Sequence, residues 1–174
     1  MNSKQFKQEI LQSKVFIYPT DTLYGLGCNA MNKSSVNRIR EIKGRDNKPF
    51  SVIAPSFEWI EEHFEIDIDL KKYLPGPYTL LLKKKNPGFL SWVSNNDKIG
   101  IRIPNNKFCF KLQKLGIPII TTSVNFSSQP SALSLEEIPK EIINKVDFII
   151  KSKDKMSGKP STLVIDRKEF ERKI

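Results

Sequence analysis

Hydroxyl, amide and cationic side chains gather in five short stretches of this sequence, each bordering an apolar run. The densest is Tyr18 to Cys28, where Thr20, Asp21 and Thr22 precede Gly25 and Gly27. Such residues make a side-chain-capped turn, or they offer two hydroxyls and a carboxylate to a ligand. In Lys43 to Phe50, the cations Lys43, Arg45 and Lys48 surround Gly44. A forked guanidinium flanked by ammonium groups suits phosphate. The same cations equally suit a helix C-terminus capped by glycine. Arg102 stands among the aliphatic residues of Ile99 to Pro104, either snorkelling at an edge or holding a carboxylate on a sheet face. Thr121 to Ser131 carries hydroxyl or amide side chains at eight of eleven positions, among them Ser123, Asn125 and Ser131. It follows an apolar run, where open sheets place ligands, although a polar surface loop has the same composition. Ser157 to Thr162, with Ser161, is a fifth polar turn ahead of a strand.

Other chemistries are poorly supplied. With Cys28, Cys109 and His63 as the whole stock of cysteine and histidine, metal clusters and histidine-based triads lack their parts, and no metal ligands are expected. The two thiols read as reduced and half-buried. Gly25, Gly27 and Ala30 formally fit G-x-G-x-x-A. However, the first glycine does not follow a strand directly, and lysines occupy the later region that would need an acid. The Ser157 turn is no phosphate-binding Walker loop, because lysine stands at position 153 and Pro160 separates Lys159 from Ser161. Ser152-x-x-Lys155 and Ser123-Val-Asn125 echo penicillin-binding motifs, in reversed order and without Lys-Thr-Gly. The formal charge is +10, from 29 Lys and Arg against 19 Asp and Glu. That excess favours a polyanionic partner. It is spread out, since Lys83-Lys84-Lys85 is the sole run of three.

The elements that must position these groups follow from apolar spacing. A chain of 174 residues suits one compact domain, 1–174. No apolar run approaches the roughly 20 residues of a membrane helix. The charged N-terminus does not read as a signal peptide, which points to the cytoplasm and to no membrane partner. Helices are predicted over 3–13, after Ser34 or Ser35, after Ser56, over 106–115, and from the capping box Ser134-Leu135-Glu136-Glu137. Strands are predicted at 15–18, 50–54, 78–82, 99–103, 117–122, 148–150 and 162–165, with a rigid turn at Pro75-Gly76-Pro77. Hairpin-like strand pairs interrupt the alternation of strands and helices. The expected class is α+β, a twisted mixed sheet flanked by helices.

Taken together, the words YPTDTLYGLGCNA (18–30), KGR (43–45) with KPF (48–50), PGPYTLLL (75–82), GIRIP (100–104), SVN with QPSA (123–132) and GKPSTLVID (158–166) resemble the YrdC-like family, in its order and over nearly the whole chain. Characterised members are threonylcarbamoyl-adenylate synthases. The resemblance implies a YrdC/RibB-like fold with a basic concave groove. It implies a reaction in which L-threonine, bicarbonate and ATP, with Mg²⁺, give threonylcarbamoyl-AMP and pyrophosphate. The product would pass to the tRNA threonylcarbamoyl-transferase machinery. Carried over by motif, Thr20, Thr22, Arg102 and Ser161 would bind threonine, with Arg102 on its carboxylate. Lys43, Arg45, Lys48, Ser123, Asn125 and Ser131 would bind ATP, with Lys43 and Arg45 as the catalytic cations. Asp21 would orient its neighbours. The chain departs from the family where Asp46 and Asn47 leave the loop after Arg45 one residue short, and where Phe50 to Ile53 lacks a histidine. A late arginine–glycine element that touches ATP is expected to fall beyond Ile174. An alternative within the same family is a double-stranded RNA or tRNA-binding protein without synthase activity.

Overall fold

The computed structural model describes residues 3–12, 14–44 and 47–172. Helix α1 (Ser3–Leu11) is followed by the hairpin β1 (Phe16–Pro19) and β2 (Tyr24–Gly27). Next come α2 (Lys33–Lys43), β3 (Ser51–Ile53), α3 (Phe57–His63) and the two-residue β4 (Phe64–Glu65). Strands β5 (Tyr78–Lys84) and β6 (Lys98–Arg102) form a second antiparallel pair, followed by α4 (Lys107–Gln113) and β7 (Ile119–Ser123). A short α5 (Lys140–Ile143), β8 (Phe148–Ile149), β9 (Thr162–Ile165) and β10 (Lys168–Phe170) complete the order. The ten strands form one sheet in the order β10-β9-β5-β6-β3-β7-β2-β1-β8, with β4 beside β5. It is mixed: β3 runs parallel to β6 and antiparallel to β7, and β1 runs parallel to β8. This is the α+β class expected from the sequence.

Alternation along the strands gives the sheet two different faces. Ile17, Leu26, Val52, Leu80, Ile101, Ile120 and Val164 point to one side and merge with Val36, Ile39 and Ile42 of α2 and Ile60 of α3 in the main core. The intervening residues face the other side. Phe16, Tyr18, Ile53 and Ile119 are covered there by Ile10 of α1 and by Cys109 and Leu112 of α4, in a smaller second core. Fully burying each such aliphatic side chain contributes about 1.5–3 kcal/mol. The helices stop short of the rest of this face. Ser51, Thr79, Gly100, Arg102, Thr121 and Ser123 occupy the uncovered part.

Several predicted elements are corrected. The cap of α2 is Asn32, whose Oδ1 accepts from Ser35 N at 2.9 Å, and not Ser34 or Ser35. Asparagine caps as well as serine does and comes earlier in the chain. No helix opens at Ser134. Pro139 has no N–H to close a turn onto Leu135 and pushes Ile138 away from helical geometry, so α5 begins only at Lys140. Glu137 Oε2 instead accepts from Leu133 N at 2.9 Å. Residues 24–27, read as part of a ligand loop, form β2. The ring of Tyr18 lies across Gly25 and Gly27, and a Cβ at Gly27 would collide with the backbone carbonyl of Ile120. Close approach therefore explains these glycines, which otherwise disfavour a strand. The predicted Ser56 cap is observed, accepting from Trp59 N at 3.1 Å.

Candidate active site

The uncovered part of the sheet face forms the floor of a cavity of about 220 Å³. Six of the residues singled out from the sequence line it: Thr20, Thr22, Arg102, Ser123, Ser131 and Ser161. They come from the β1–β2 turn, β6, the end of β7, the loop that follows it and the segment before β9. The wall also contains Ser51, Thr79, Thr121 and Thr122, and among the described residues it contains no carboxylate. Gly100 keeps the floor low. A Cβ there would lie 2.6 Å from Ser51 Oγ and 2.9 Å from Thr79 Cγ2.

Arg102 is 7% exposed and is fixed from behind. Its Nη2 donates to Asp21 Oδ1 at 2.8 Å and to Thr22 Oγ1 at 3.2 Å, while its buried Nε has no partner among the described residues. The other Asp21 oxygen, Oδ2, accepts from Asn105 N at 2.9 Å, just ahead of the Asn106 cap of α4. Asn106 reaches back, its Nδ2 donating to Thr20 O at 3.3 Å. The turn, the arginine and the start of α4 thus form one hydrogen-bonded unit. From the segment before β9, Ser157 N and Gly158 N donate to Asp21 O and Thr22 O, each at 3.0 Å. This strap delivers Pro160 and Ser161 to the wall.

Lys43 does something other than line the cavity. It is 1% exposed, and its Nζ donates to Ser123 O at 2.6 Å, Asn125 O at 2.8 Å and Asn125 Oδ1 at 2.7 Å. Its own carbonyl accepts from Ser127 N at 2.8 Å. An ammonium has three hydrogens. Here they shape the 123–127 loop, so the expected phosphate contact gives way to a strut. Asn125 belongs to the same strut, accepting from Ser123 Oγ at 2.6 Å and donating to Gln129 O, and it too lies off the wall. Lys48 is exposed and is not part of the wall, with its carbonyl held by Arg40 Nη1 at 2.8 Å. Arg40 also lies over the ring of Phe50, 4.5 Å from its centroid, and Phe50 is part of the wall. Arg45 lies outside the described residues.

One cation of the wall was not anticipated. Arg172 follows β10 and reaches the cavity. Its Nη2 donates to Thr79 Oγ1 at 2.7 Å and Ser161 Oγ at 2.8 Å, and its Nε donates to Ser161 O at 3.0 Å. No sequence signal marks Arg172 among the other charges of that tail. Ser51 and Thr79 did carry one, since each is the polar residue at an alternate position of an apolar strand. The thiols stay out of the chemistry. Burial pushes Cys109 up to about 12, and Cys28 higher still, so both remain protonated. Among the described residues no cluster of three or more His, Cys, Asp or Glu could hold a metal, and no helix is long and apolar enough to cross a membrane.

The family model for Sua5, YciO and YrdC proteins, described as telomere recombination, matches residues 8–174. A putative threonylcarbamoyl-AMP synthase of Methanocaldococcus jannaschii is 40% identical over 163 residues, which is 91% of this chain and 77% of that protein. The threonylcarbamoyl-AMP synthase of Pyrococcus abyssi is 33% identical over 92% of this chain, and this chain spans 49% of its length. The crystal structure of P. abyssi Sua5 complexed with L-threonine superposes with a TM-score of 0.81 at 30% identity, covering 93% of this chain and 50% of that one. Matched along nearly its whole length in sequence, and in fold by a threonine-bound relative, the chain belongs to the Sua5/YciO/YrdC family.

Proposed function

We propose that this chain is a threonylcarbamoyl-AMP synthase, a single cytoplasmic domain that makes threonylcarbamoyl-AMP and pyrophosphate from L-threonine, bicarbonate and ATP. The observation that carries the reading is the convergence of Arg102, Thr22, Ser123, Ser131 and Ser161 on one cavity, although they lie up to 139 positions apart in the chain. The hydroxyl-rich wall, without a carboxylate among the described residues, suits anions. Arg102 takes the threonine carboxylate. Thr22 and Ser161 flank the amino acid. Ser123 and Ser131 line the side given to the nucleotide, and Lys43 with Asn125 holds the Ser123 loop in shape.

The chemistry asks little covalent help of the protein. Threonine's amine attacks the carbon of bicarbonate, whose hydroxyl leaves as water with an amine proton, or the carbon of the CO₂ derived from it, releasing an amine proton to solvent; either route gives a carbamate. A carbamate oxygen then attacks the α-phosphorus of ATP, and the bond to the bridging oxygen of pyrophosphate breaks. Such steps depend on holding reactants in line and on donors aimed at the charge that develops on phosphorus. Arg172 and the wall hydroxyls supply donors of that kind. Mg²⁺ would enter on the nucleotide, since it keeps phosphate oxygens and waters as ligands and the described residues of the wall offer no carboxylate to hold it. The product is a mixed anhydride, suited to acyl transfer onto a nucleoside amine of tRNA by a downstream transferase.

The test is pyrophosphate release by purified protein given ATP, Mg²⁺ and bicarbonate, with and without L-threonine. Threonine-dependent release supports the reading. Release no greater than the control without threonine refutes it.

A further inference from the structure

We infer that Arg40 is a positioning residue for the reaction: from outside the cavity it clamps the segment 48–50, and so sets the part of the wall on the nucleotide's side. The inference rests on the synthase reading and adds to it a residue that is not itself part of the wall.

Arg40 stands half-buried on α2, and its planar group meets three carbonyls and a ring. Nη1 donates to Lys48 O at 2.8 Å. Nη2 divides its two hydrogens between Trp92 O at 2.9 Å and Val93 O at 3.2 Å. The guanidinium carbon lies 4.5 Å from the centroid of the Phe50 ring. A rigid fork suits this task, since a lysine's compact ammonium cannot lie flat on a ring while spanning carbonyls of two segments. Val93 O is shared, because it also accepts from Phe50 N at 3.1 Å, which uses both of its lone pairs. Backbone and guanidinium together fasten 48–50 to one point.

That point is firmly held. Val93 is fully buried. Beside it, Ser94 O accepts from Lys84 Nζ at 3.1 Å, and the same buried ammonium donates to Pro87 O at 2.9 Å. Trp92 Nε1 donates to Ala30 O at 2.8 Å. The segment 92–94 is a backboard, and Arg40 presses the wall segment against it. Pro49, Phe50 and Ser51 line the cavity. Ser51 pairs with Thr121 of β7, and continuing that antiparallel register backward carries Phe50 and Pro49 toward Thr122 and Ser123. Ser123 belongs to the side given to the nucleotide. Slack in 48–50 therefore reaches ATP before threonine, whose partners Thr22 and Arg102 belong to the β1–β2 turn and β6.

The test is Arg40→Met, which keeps the reach of the side chain and removes its donors and charge. In a pyrophosphate-release assay the KM for ATP should rise about fivefold to tenfold, the worth of roughly one hydrogen bond, while the KM for L-threonine changes less than about twofold. Hydrogen exchange followed by NMR, without substrates, should speed about tenfold at the Phe50 amide and stay unchanged at Val52. Arg38→Met is the control. Arg38 lies on the same helix but bonds Asp147 and the carbonyl of Lys145, neither of them part of the wall. It should lower Tm to a similar degree and leave both KM values unchanged. If Arg40→Met fails to fold, Arg40→Lys takes its place and should show the same split on a smaller scale. Equal rises in both constants, an unchanged KM for ATP, unaltered exchange at Phe50, or the same ATP effect from Arg38→Met overturns the inference. An unmodified chain that releases no threonine-dependent pyrophosphate is a separate failure, which brings down the synthase reading and this role with it.

Discussion

Replacing Lys43 with methionine separates a strut from a phosphate ligand. The substitution keeps the length of the side chain and removes all three N–H donors. Ser123 O, Asn125 O and Asn125 Oδ1 would then lose partners now at 2.6–2.8 Å. At roughly 1 kcal/mol for each stranded buried acceptor, the loss is about 3 kcal/mol. Relief from the cost of burying an ammonium offsets part of it. For a chain of this size, about 2–4 °C per kcal/mol translates this into a fall in Tm of roughly 6–12 °C. Circular dichroism melts would measure it, with limited proteolysis reporting whether the 123–129 loop has loosened. Binding of ATP should weaken alongside, because Ser123 moves with its loop. A melt within about 2 °C of the unmodified chain, joined to a tenfold loss of ATP affinity, would show that the ammonium serves the nucleotide directly and that the strut reasoning is wrong.

Three further outcomes are expected. Gly100→Ala places a methyl 2.6 Å from Ser51 Oγ and 2.9 Å from Thr79 Cγ2. Both side chains must shift, so substrate affinity should fall about tenfold while Tm drops by only a few degrees, on the usual scale of about 1–3 kcal/mol for overpacking; unchanged affinity by calorimetry would place the ligand elsewhere. Arg102→Ala should raise the KM for threonine by about tenfold to a hundredfold, as the loss of a charge-assisted bond predicts, and leave the KM for ATP nearly unchanged. Equal rises in both constants would mean that Arg102 acts on the whole pocket. With Cys109 pushed up to about 12 by burial, its thiolate fraction at pH 8 is roughly one in ten thousand, so alkylation of the native chain should await unfolding. Rapid labelling at pH 8 without denaturant would contradict the burial of both thiols.

Much of this site could be read in advance because β-strands betray their faces. The alternation Ile99-Gly100-Ile101-Arg102 placed the arginine opposite the core, and polar residues near strand ends marked Thr22, Ser123, Ser131 and Ser161 as wall. Three of the misreadings share one cause, competition from a neighbour that no local pattern displays. Lys43 looked like a free cation beside a glycine, yet the loop after β7, some 80 residues on, supplies three acceptors that draw its ammonium inward. Residues 24–27 looked like a loop until Tyr18 was seen to need the space that two glycines leave. Arg172 met its partners across 93 positions, in Thr79, and the tail gives no periodic hint of that meeting. The capping box at Ser134 failed for a nearer reason, the proline five residues on, which the sequence displays openly.

The two-sided alternation of β3, β5, β6 and β7 also limits how such a molecule can diverge. Neighbouring positions on each strand belong to different tasks, cohesion on one side and recognition on the other. Inserting or deleting a single residue within any of these strands would exchange the two sets at a stroke, driving hydroxyls into oil and aliphatics into the ligand's place. Drift in length must therefore be confined to the connections, while the strands themselves change only by substitution.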